Sequence, residues 1–100
     1  MKSRPDIIAT VRFYSTEAGG RKGPTPPNMF GCPLEFEGEM FDCRLVLNEA
    51  GSLAPGATAE VPIAFLYPEL IKQRLRVGSQ FTLWDGRTVA DGVVEEIVPD

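Results

Sequence analysis

The sequence predicts an all-β fold, either a small closed barrel or a sandwich, with one short helical turn near 68–75. Apolar and polar residues alternate in about six short segments, the pattern of strands that bury one face. Breakers separate these segments, since the chain contains 10 glycines and 9 prolines among its 100 residues. This length suits one domain with one modest core, so we expect a single domain over residues 1–100.

The composition argues against several kinds of function for this protein. The net charge is −4, which argues against a broad phosphate-binding surface, although it leaves room for a local basic loop. Histidine, the usual general base and metal ligand, is absent. No apolar run approaches the roughly 20 residues that span a bilayer, and no signal peptide is evident, so we expect a cytoplasmic protein without a membrane partner. We also expect no cofactor and no metal.

The first strand is predicted at Ile7 to Tyr14. Its alternation places one apolar set on a single face: Ile7, Ala9, Val11 and Phe13. Residues 15–28 follow as a long loop rich in glycine and proline, with no periodicity of its own. Loops of this length are often functional.

A hairpin is predicted from Met29 to Leu47, with Glu37-Gly38 as a two-residue turn. In that register Cys32 faces Cys43, and the apolar residues sort onto one face, which a one-residue slip would scramble. Glu-Gly is a weaker turn signal than Asn-Gly, so a longer loop around Glu37 to Met40 stays open as an alternative.

The second half begins with a strand from Ala59 to Leu66, in which Pro62 predicts an irregular or edge position. Pro68 to Leu75 predicts one or two helical turns, with Leu70, Ile71 and Leu75 on the buried side.

The last two strands are predicted at Gln80 to Trp84 and Arg87 to Val98. Asp85-Gly86 is interpreted as the two-residue turn between them. Asp91-Gly92, in the middle of the last strand, is interpreted as a bulge.

Three segments carry a resemblance to a known family. They are the strand before Ser15 with its Gly19-Gly20-Arg21 loop, the strand from Pro55-Gly56 to Pro68, and the closing Gly-Arg-Thr-Val-Ala-Asp-Gly-Val-Val of residues 86–94. Together they resemble the C-terminal, third β-barrel domain of translation elongation factor Tu, over nearly the whole chain and in the same order. The resemblance implies a six-stranded antiparallel barrel that docks protein and tRNA.

The chain also departs from that family. It contains neither the GTPase domain nor the second barrel domain, and no Gly-x-x-x-x-Gly-Lys-Ser/Thr motif occurs, so no nucleotide site is expected. After Arg21 the chain continues with Lys22 where the family has a histidine. The expectation is therefore a free-standing relative of the domain.

Two groups of basic residues are candidate contacts for a partner or for RNA. Arg21, implied by the resemblance, and Lys22 lie in the flexible loop, where the alternative is a solvated loop charge. Lys72, Arg74 and Arg76 follow Pro68, and Lys22 is a candidate to join them in one patch; the alternative is a solvated face.

The remaining reactive side chains predict no catalysis. Cys32 and Cys43, at a cross-strand Cα separation of about 5.5 Å, have the geometry for a disulfide, but a cytoplasmic location favours buried free thiols. Glu95 and Glu96 point to opposite faces of a strand, and Asp85 and Asp91 are explained by turn and bulge. Three aromatic residues are candidates either for anchoring a partner or for filling the barrel rims: Tyr14, Tyr67 and Trp84.

Two main functional hypotheses follow. The first is a non-enzymatic module that docks a protein partner, and the second is an accessory protein that binds tRNA-like RNA through the basic residues. A third, an enzyme that uses Cys32, lacks an activating histidine.

Overall fold

The structure, a computed structural model, describes residues 4–100. Six strands form a closed antiparallel barrel in the order β1-β4-β3-β2-β5-β6. They are β1 (Ile7–Phe13), β2 (Met29–Phe36), β3 (Glu39–Val46), β4 (Thr58–Phe65), β5 (Gln80–Trp84) and β6 (Thr88–Ile97). The predicted six-stranded antiparallel barrel is confirmed. Within residues 4–100, no helix is long and apolar enough to cross a membrane.

The barrel interior follows directly from the alternation of apolar residues. The predicted inner set of β1 is buried, from Ile7 to Phe13 at every second position. Leu34, Leu45 and Ile63, from three other strands, are completely buried in the same core. Each strand therefore contributes one apolar face to a shared core, which is the largest source of stability available to a small barrel.

The predicted β2–β3 hairpin is confirmed in its register. Cys32 lies opposite Cys43, and Phe36 lies opposite Glu39. The turn is the two-residue alternative, in which Glu37 and Gly38 have φ of 52° and 81°. Two successive positive φ values match the right-handed twist of the flanking strands, which is why the turn can be this tight.

The β5–β6 turn is one residue longer than predicted. Trp84 lies opposite Thr88, so the turn comprises Asp85, Gly86 and Arg87, closed by the Asp85 N–H, which donates to the Arg87 carbonyl at 2.8 Å. The register also shifts between Leu83 and Trp84, which leaves Val89 without an opposite residue on β5. This bulge explains why Val89 and its neighbour Ala90 are both buried.

The predicted bulge at Asp91-Gly92 is wrong. Gly92 pairs regularly with Phe81 on one side and Val11 on the other. A Cβ atom at Gly92 would lie 2.3 Å from Cζ of Phe81, so the glycine makes room for that ring. The second irregularity of β6 lies instead at Glu95, where the pairing with β1 shifts between Ile8 and Ala9.

Residues 66–79, here called the connector, join β4 to β5 and contain the predicted helical turns as two 3₁₀ turns, Pro68–Leu70 and Lys72–Arg74. Ile71 and Leu75 are buried as predicted, but Leu70 is 56% exposed. The reason is local: Ile71, at φ −136°, separates the two turns, so Leu70 does not share a face with Leu75. Pro62 is predicted to lie at an irregular or edge position. It lies just beyond the last residue pair between β3 and β4, Leu45 with Ile63, which agrees with that prediction.

Antiparallel pairing sorts the loops onto two ends of the barrel. One, the loop end, carries the β1–β2 loop and the β5–β6 turn, since Phe13 pairs with Ala90 and Trp84 with Thr88. The other, the connector end, carries the hairpin turn, the connector and the residues after Ile97.

Gly92→Ala is expected to destabilise the barrel by about 1–3 kcal/mol, because the added methyl group must displace the Phe81 ring within a packed interior. Urea unfolding measures the loss. Gly23→Ala is the matched control, since nothing lies within 4 Å of its added Cβ atom. Equal stability of Gly92→Ala and the wild type would contradict the role given to this glycine.

Candidate functional site

Arg21 fixes the long β1–β2 loop to the loop end of the barrel. Its guanidinium pairs with Asp85 in the β5–β6 turn and donates to the carbonyls of Gly23 and Pro24 at 3.3 and 3.2 Å. The same group lies 4.8 Å from the centre of the Phe30 ring, a cation–π distance. These four contacts give Arg21 a structural role, which is to hold the loop in place.

Gly20 lets the loop lie close to the end of β1. Its N–H donates to the Ser15 carbonyl at 2.8 Å, and a Cβ atom at this position would lie 2.1 Å from the Tyr14 carbonyl oxygen. The close approach therefore explains the glycine at position 20, and the contacts described above explain the arginine at position 21.

A shallow cleft of about 310 Å³ separates this loop from the β5–β6 turn. Lys22 and Arg87 line it, both exposed. Neither forms an ion pair with any residue between 4 and 100. Of the two predicted loop residues, only Lys22 is thus open to an anion, and Arg87 is a second such cation that the sequence did not single out.

Lys72 lies at the connector end and forms ion pairs with other residues of the chain. Its Nζ is 2.7 Å from Oδ1 of Asp100 and 3.5 Å from Oδ1 of Asp6. The Lys72 side chain is only 13% exposed, and that of Asp6 is not exposed at all.

Arg74 and Arg76 are also engaged by neighbouring groups. Arg74 pairs with Glu37 at 2.9 Å and with Glu39 at 3.2 Å, and it lies over the rings of Phe36 and Phe41. The pKa of Arg74 is raised above its ordinary value, mainly by the hydrogen bond with Glu37 and further by Glu39.

The hypothesis that Lys22 joins Lys72, Arg74 and Arg76 in one basic patch is wrong. Arg21 and Lys22 lie at the loop end, beside the turn that follows β5. Lys72 contacts the residue before β1 and Arg74 contacts the hairpin turn, which places both at the connector end. Arg76, whose guanidinium donates to the carbonyls of Gln73 and Leu75, belongs to that end too.

The two cysteines are buried and free, as expected. The hydrogen bond that Cys43 makes with the Cys32 thiol, followed by burial, raises the pKa of Cys43 well above its ordinary value. A nucleophilic cysteine needs the opposite shift, toward the thiolate. The pair therefore acts as part of the core.

Two of the candidate carboxylates, Asp91 and Glu95 on β6, are tied to the neighbouring strand β1. Asp91 pairs with Arg12 at 2.7 Å, and Glu95 accepts a hydrogen bond from the Thr10 hydroxyl at 2.8 Å. Among the aromatic residues, Tyr67 and Trp84 are exposed, whereas Tyr14 is half-buried beneath Arg12. Burial and then Asp91 raise the pKa of Tyr14 above its ordinary value.

Two features of the connector end escaped the sequence reasoning. Asp6 is buried, and its carboxylate accepts a hydrogen bond from the Phe65 N–H at 2.8 Å. A cleft of about 520 Å³ lies between the connector and the residues after β6, lined by Pro68 and Lys72 on one side and Val98 and Pro99 on the other. No sequence pattern distinguishes a buried charged residue before a strand from an exposed one, and none indicates a cleft between two distant segments. Neither feature could therefore be predicted from the sequence.

Replacement of Arg21 by alanine is expected to lower the free energy of unfolding by about 1–2 kcal/mol, because a partly exposed charge-assisted hydrogen bond and a ring contact are lost. Thermal unfolding measures this. Lys22→Ala is expected to match the wild type, because Lys22 lies one residue away and forms no ion pair with residues 4–100. The assignment fails if both variants unfold alike.

The raised pKa of Cys43 predicts a loss of stability at alkaline pH. Above the ordinary thiol pKa of about 8.5, the unfolded chain gains by ionising Cys43 while the folded chain keeps the thiol neutral. Unfolding free energy should therefore fall as the pH rises through this value toward the folded pKa, by up to about 1.4 kcal/mol per pH unit. Urea unfolding at a series of pH values should show a shallower fall for Cys43→Ala; equal slopes would contradict this.

We compared the chain with models of known protein families and with curated protein sequences, and it matches none of them. The barrel and the geometry of its two ends therefore carry the functional argument.

Proposed function

We propose that the protein is a non-enzymatic binding module, similar to the third domain of elongation factor Tu, that docks a protein partner in the cytoplasm. One observation carries the proposal. The connector holds large apolar side chains out in solvent: Tyr67 is 55%, Leu70 56% and Val77 68% exposed. Aromatic and apolar anchors of this kind are what partner proteins bury at the centre of an interface.

The connector presents these side chains from a fixed backbone. Ile71 and Leu75 anchor it in the core, completely or almost completely buried. Lys72 and Arg74 tie it to the chain ends and to the hairpin turn. A loop fastened in this way loses little conformational entropy when it binds, which favours affinity. Lys72 and Arg74, two of the basic residues that the sequence offered as RNA contacts, thus support docking in another way, by positioning the connector.

The cleft beside the connector provides the recess that a docking surface needs. It holds about 520 Å³ and is flanked by Pro68, Ile97 and Pro99. A partner that inserts an apolar side chain there buries apolar surface on both sides, worth about 1.5–3 kcal/mol for a side chain the size of leucine.

Two further points support the proposal. The six-stranded antiparallel barrel is the fold that the resemblance implies for a docking domain. The candidate nucleophile, Cys32, is buried opposite Cys43, and three of the candidate carboxylates are held by Arg12, Arg21 and Thr10. A binding role needs none of these groups to react.

The second candidate function is RNA binding at the loop end. The observation that favours it is the cleft in which Lys22 and Arg87 are exposed and unpaired among residues 4–100. Two such cations supply only a small electrostatic footprint on a chain of net charge −4, so protein docking is the better supported function.

Leu70→Glu and Tyr67→Ala are expected to abolish capture of the partner from RNase-treated lysate at moderate salt, because each removes an apolar anchor from the interface. Quantitative mass spectrometry of the captured proteins measures the loss. Trp84→Ala is the matched control, since Trp84 is an exposed apolar residue at the opposite end of the barrel.

A protein whose capture is unchanged in the connector variants, or lost equally in Trp84→Ala, would contradict docking at the connector. Filter binding to tRNA tests the second candidate. Binding that weakens steeply with salt and is lost in a Lys22→Ala/Arg87→Ala variant would favour RNA over protein.

A further inference from the structure

The outer face of the β2–β3 hairpin and the adjoining part of β4 form a second surface, which is mostly apolar. We call it the hairpin face and define it by Pro33, Met40, Asp42, Arg44, Ala64 and Leu66. Pro33 lies opposite Asp42, and Arg44 lies opposite Ala64. The Leu66 N–H donates to the Asp42 carbonyl at 3.0 Å, which continues the same row. Because the cysteines of these strands point inward, these alternate residues point outward.

The centre of this face carries two opposite charges without partners. Asp42 and Arg44 are exposed and lie two positions apart on one strand, about 6.7 Å from each other along it. Neither forms an ion pair with any residue from 4 to 100. Some charges elsewhere on the barrel are paired within the chain, such as Arg12 with Asp91 and Arg74 with Glu37. Others, such as Glu60 and Glu96, also form no ion pair with residues 4–100, but neither lies beside an unpaired charge of opposite sign on its own strand.

The surroundings of this pair suit burial. Met40, two positions before Asp42 on the same strand, is 50% exposed, and Leu66, beside Asp42 across the sheet, is 48% exposed. A shallow depression of about 290 Å³ lies between Pro33, Arg44 and Leu66. Gly31, opposite Arg44, carries no side chain, and an added Cβ atom there would meet only the Cys43 carbonyl, at 3.9 Å. One flank of Arg44 is therefore open to an incoming carboxylate.

We propose that the hairpin face binds a second copy of this chain across a two-fold axis that passes between Asp42 and Arg44. In that arrangement Asp42 of each copy faces Arg44 of the other, so that one contact is made twice. A surface with one acid and one base at its centre is complementary to itself when rotated by half a turn, which is the requirement of a two-fold interface. The apolar side chains around the two ion pairs exclude water and strengthen them.

This interface shares only Leu66 with the connector that carries the proposed function. It lies on the outer wall of the barrel, whereas the connector cleft lies at one end between residues 68–73 and 97–100. The anchors Tyr67, Leu70 and Val77 are not part of the hairpin face, so dimerisation and docking are tested by separate variants.

Charge exchange at the hairpin face tests the proposal. Sedimentation velocity of the full chain over a wide concentration range is expected to show a monomer–dimer equilibrium. Asp42→Arg and Arg44→Asp should each raise the dimer dissociation constant at least about tenfold, because both contacts of the dimer then join like charges. The double variant Asp42→Arg/Arg44→Asp restores both contacts and should recover dimerisation. An equimolar mixture of the two single variants should form a heterodimer for the same reason.

Two charge-matched controls accompany these variants. Glu17→Arg and Arg87→Asp make the same changes of charge at exposed positions at the loop end and should dimerise as the wild type does. Circular dichroism verifies that each variant is folded, and the mixture of single variants provides a test even if the double variant is unfolded.

A chain that stays monomeric at every concentration overturns the proposal. So does a dimer that the single variants leave unchanged, or one that neither the double variant nor the mixture restores. Binding of an unrelated protein to the hairpin face by a monomeric chain also overturns it, while capture through the connector would remain intact.

Discussion

The buried carboxylate of Asp6 joins four parts of the chain at the connector end. Its backbone N–H donates to Ile63 at 2.8 Å and its carbonyl accepts from Val98 at 3.0 Å, so β1, β4 and the end of β6 meet at one residue. Its side chain accepts from the Phe65 N–H and lies 3.5 Å from Nζ of Lys72, which brings in the connector. A buried carboxylate is stable only when it is hydrogen-bonded and paired, so these partners are needed together. Asp6 therefore links the connector to three strands of the barrel, in addition to the anchoring of Ile71 and Leu75 in the core.

The same principle explains where the basic residues of the chain are used. Arg21 fastens the long loop to Asp85, and Arg74 fastens the connector to the hairpin turn. A barrel of 100 residues has a small core, so its loops need polar contacts to hold a single position. Because Arg21 and Arg74 are used to order their loops, the number of Lys and Arg residues in the sequence overstates the charge that a nucleic acid could contact.

The sequence predicted most of the barrel because strand patterns are local. The hairpin register followed from alternation alone, since a one-residue slip would have exposed Leu34 and Leu45. Its errors fell where local patterns have two explanations. A glycine inside a strand marks either a bulge or a close neighbour, and only the fold brings the Phe81 ring onto Gly92. The turn at Asp85 was misjudged because the bulge at Val89 adds a residue that alternation does not reveal.

The candidate sites were less predictable, because the partner of a charge is set by topology and not by spacing. Lys72 and Asp6 are far apart in sequence, and no motif links them. Once these pairs are formed, two pairs of neighbouring charges without ion pairs among residues 4–100 become informative: Asp42 and Arg44 on the hairpin face, Lys22 and Arg87 at the loop end. The loop-end residues are both cations, so only an anionic partner satisfies them, whereas Asp42 and Arg44 satisfy each other across two copies. The difference between a surface that needs a foreign ligand and one that can bind itself thus follows from the signs of the charges that folding leaves unpaired.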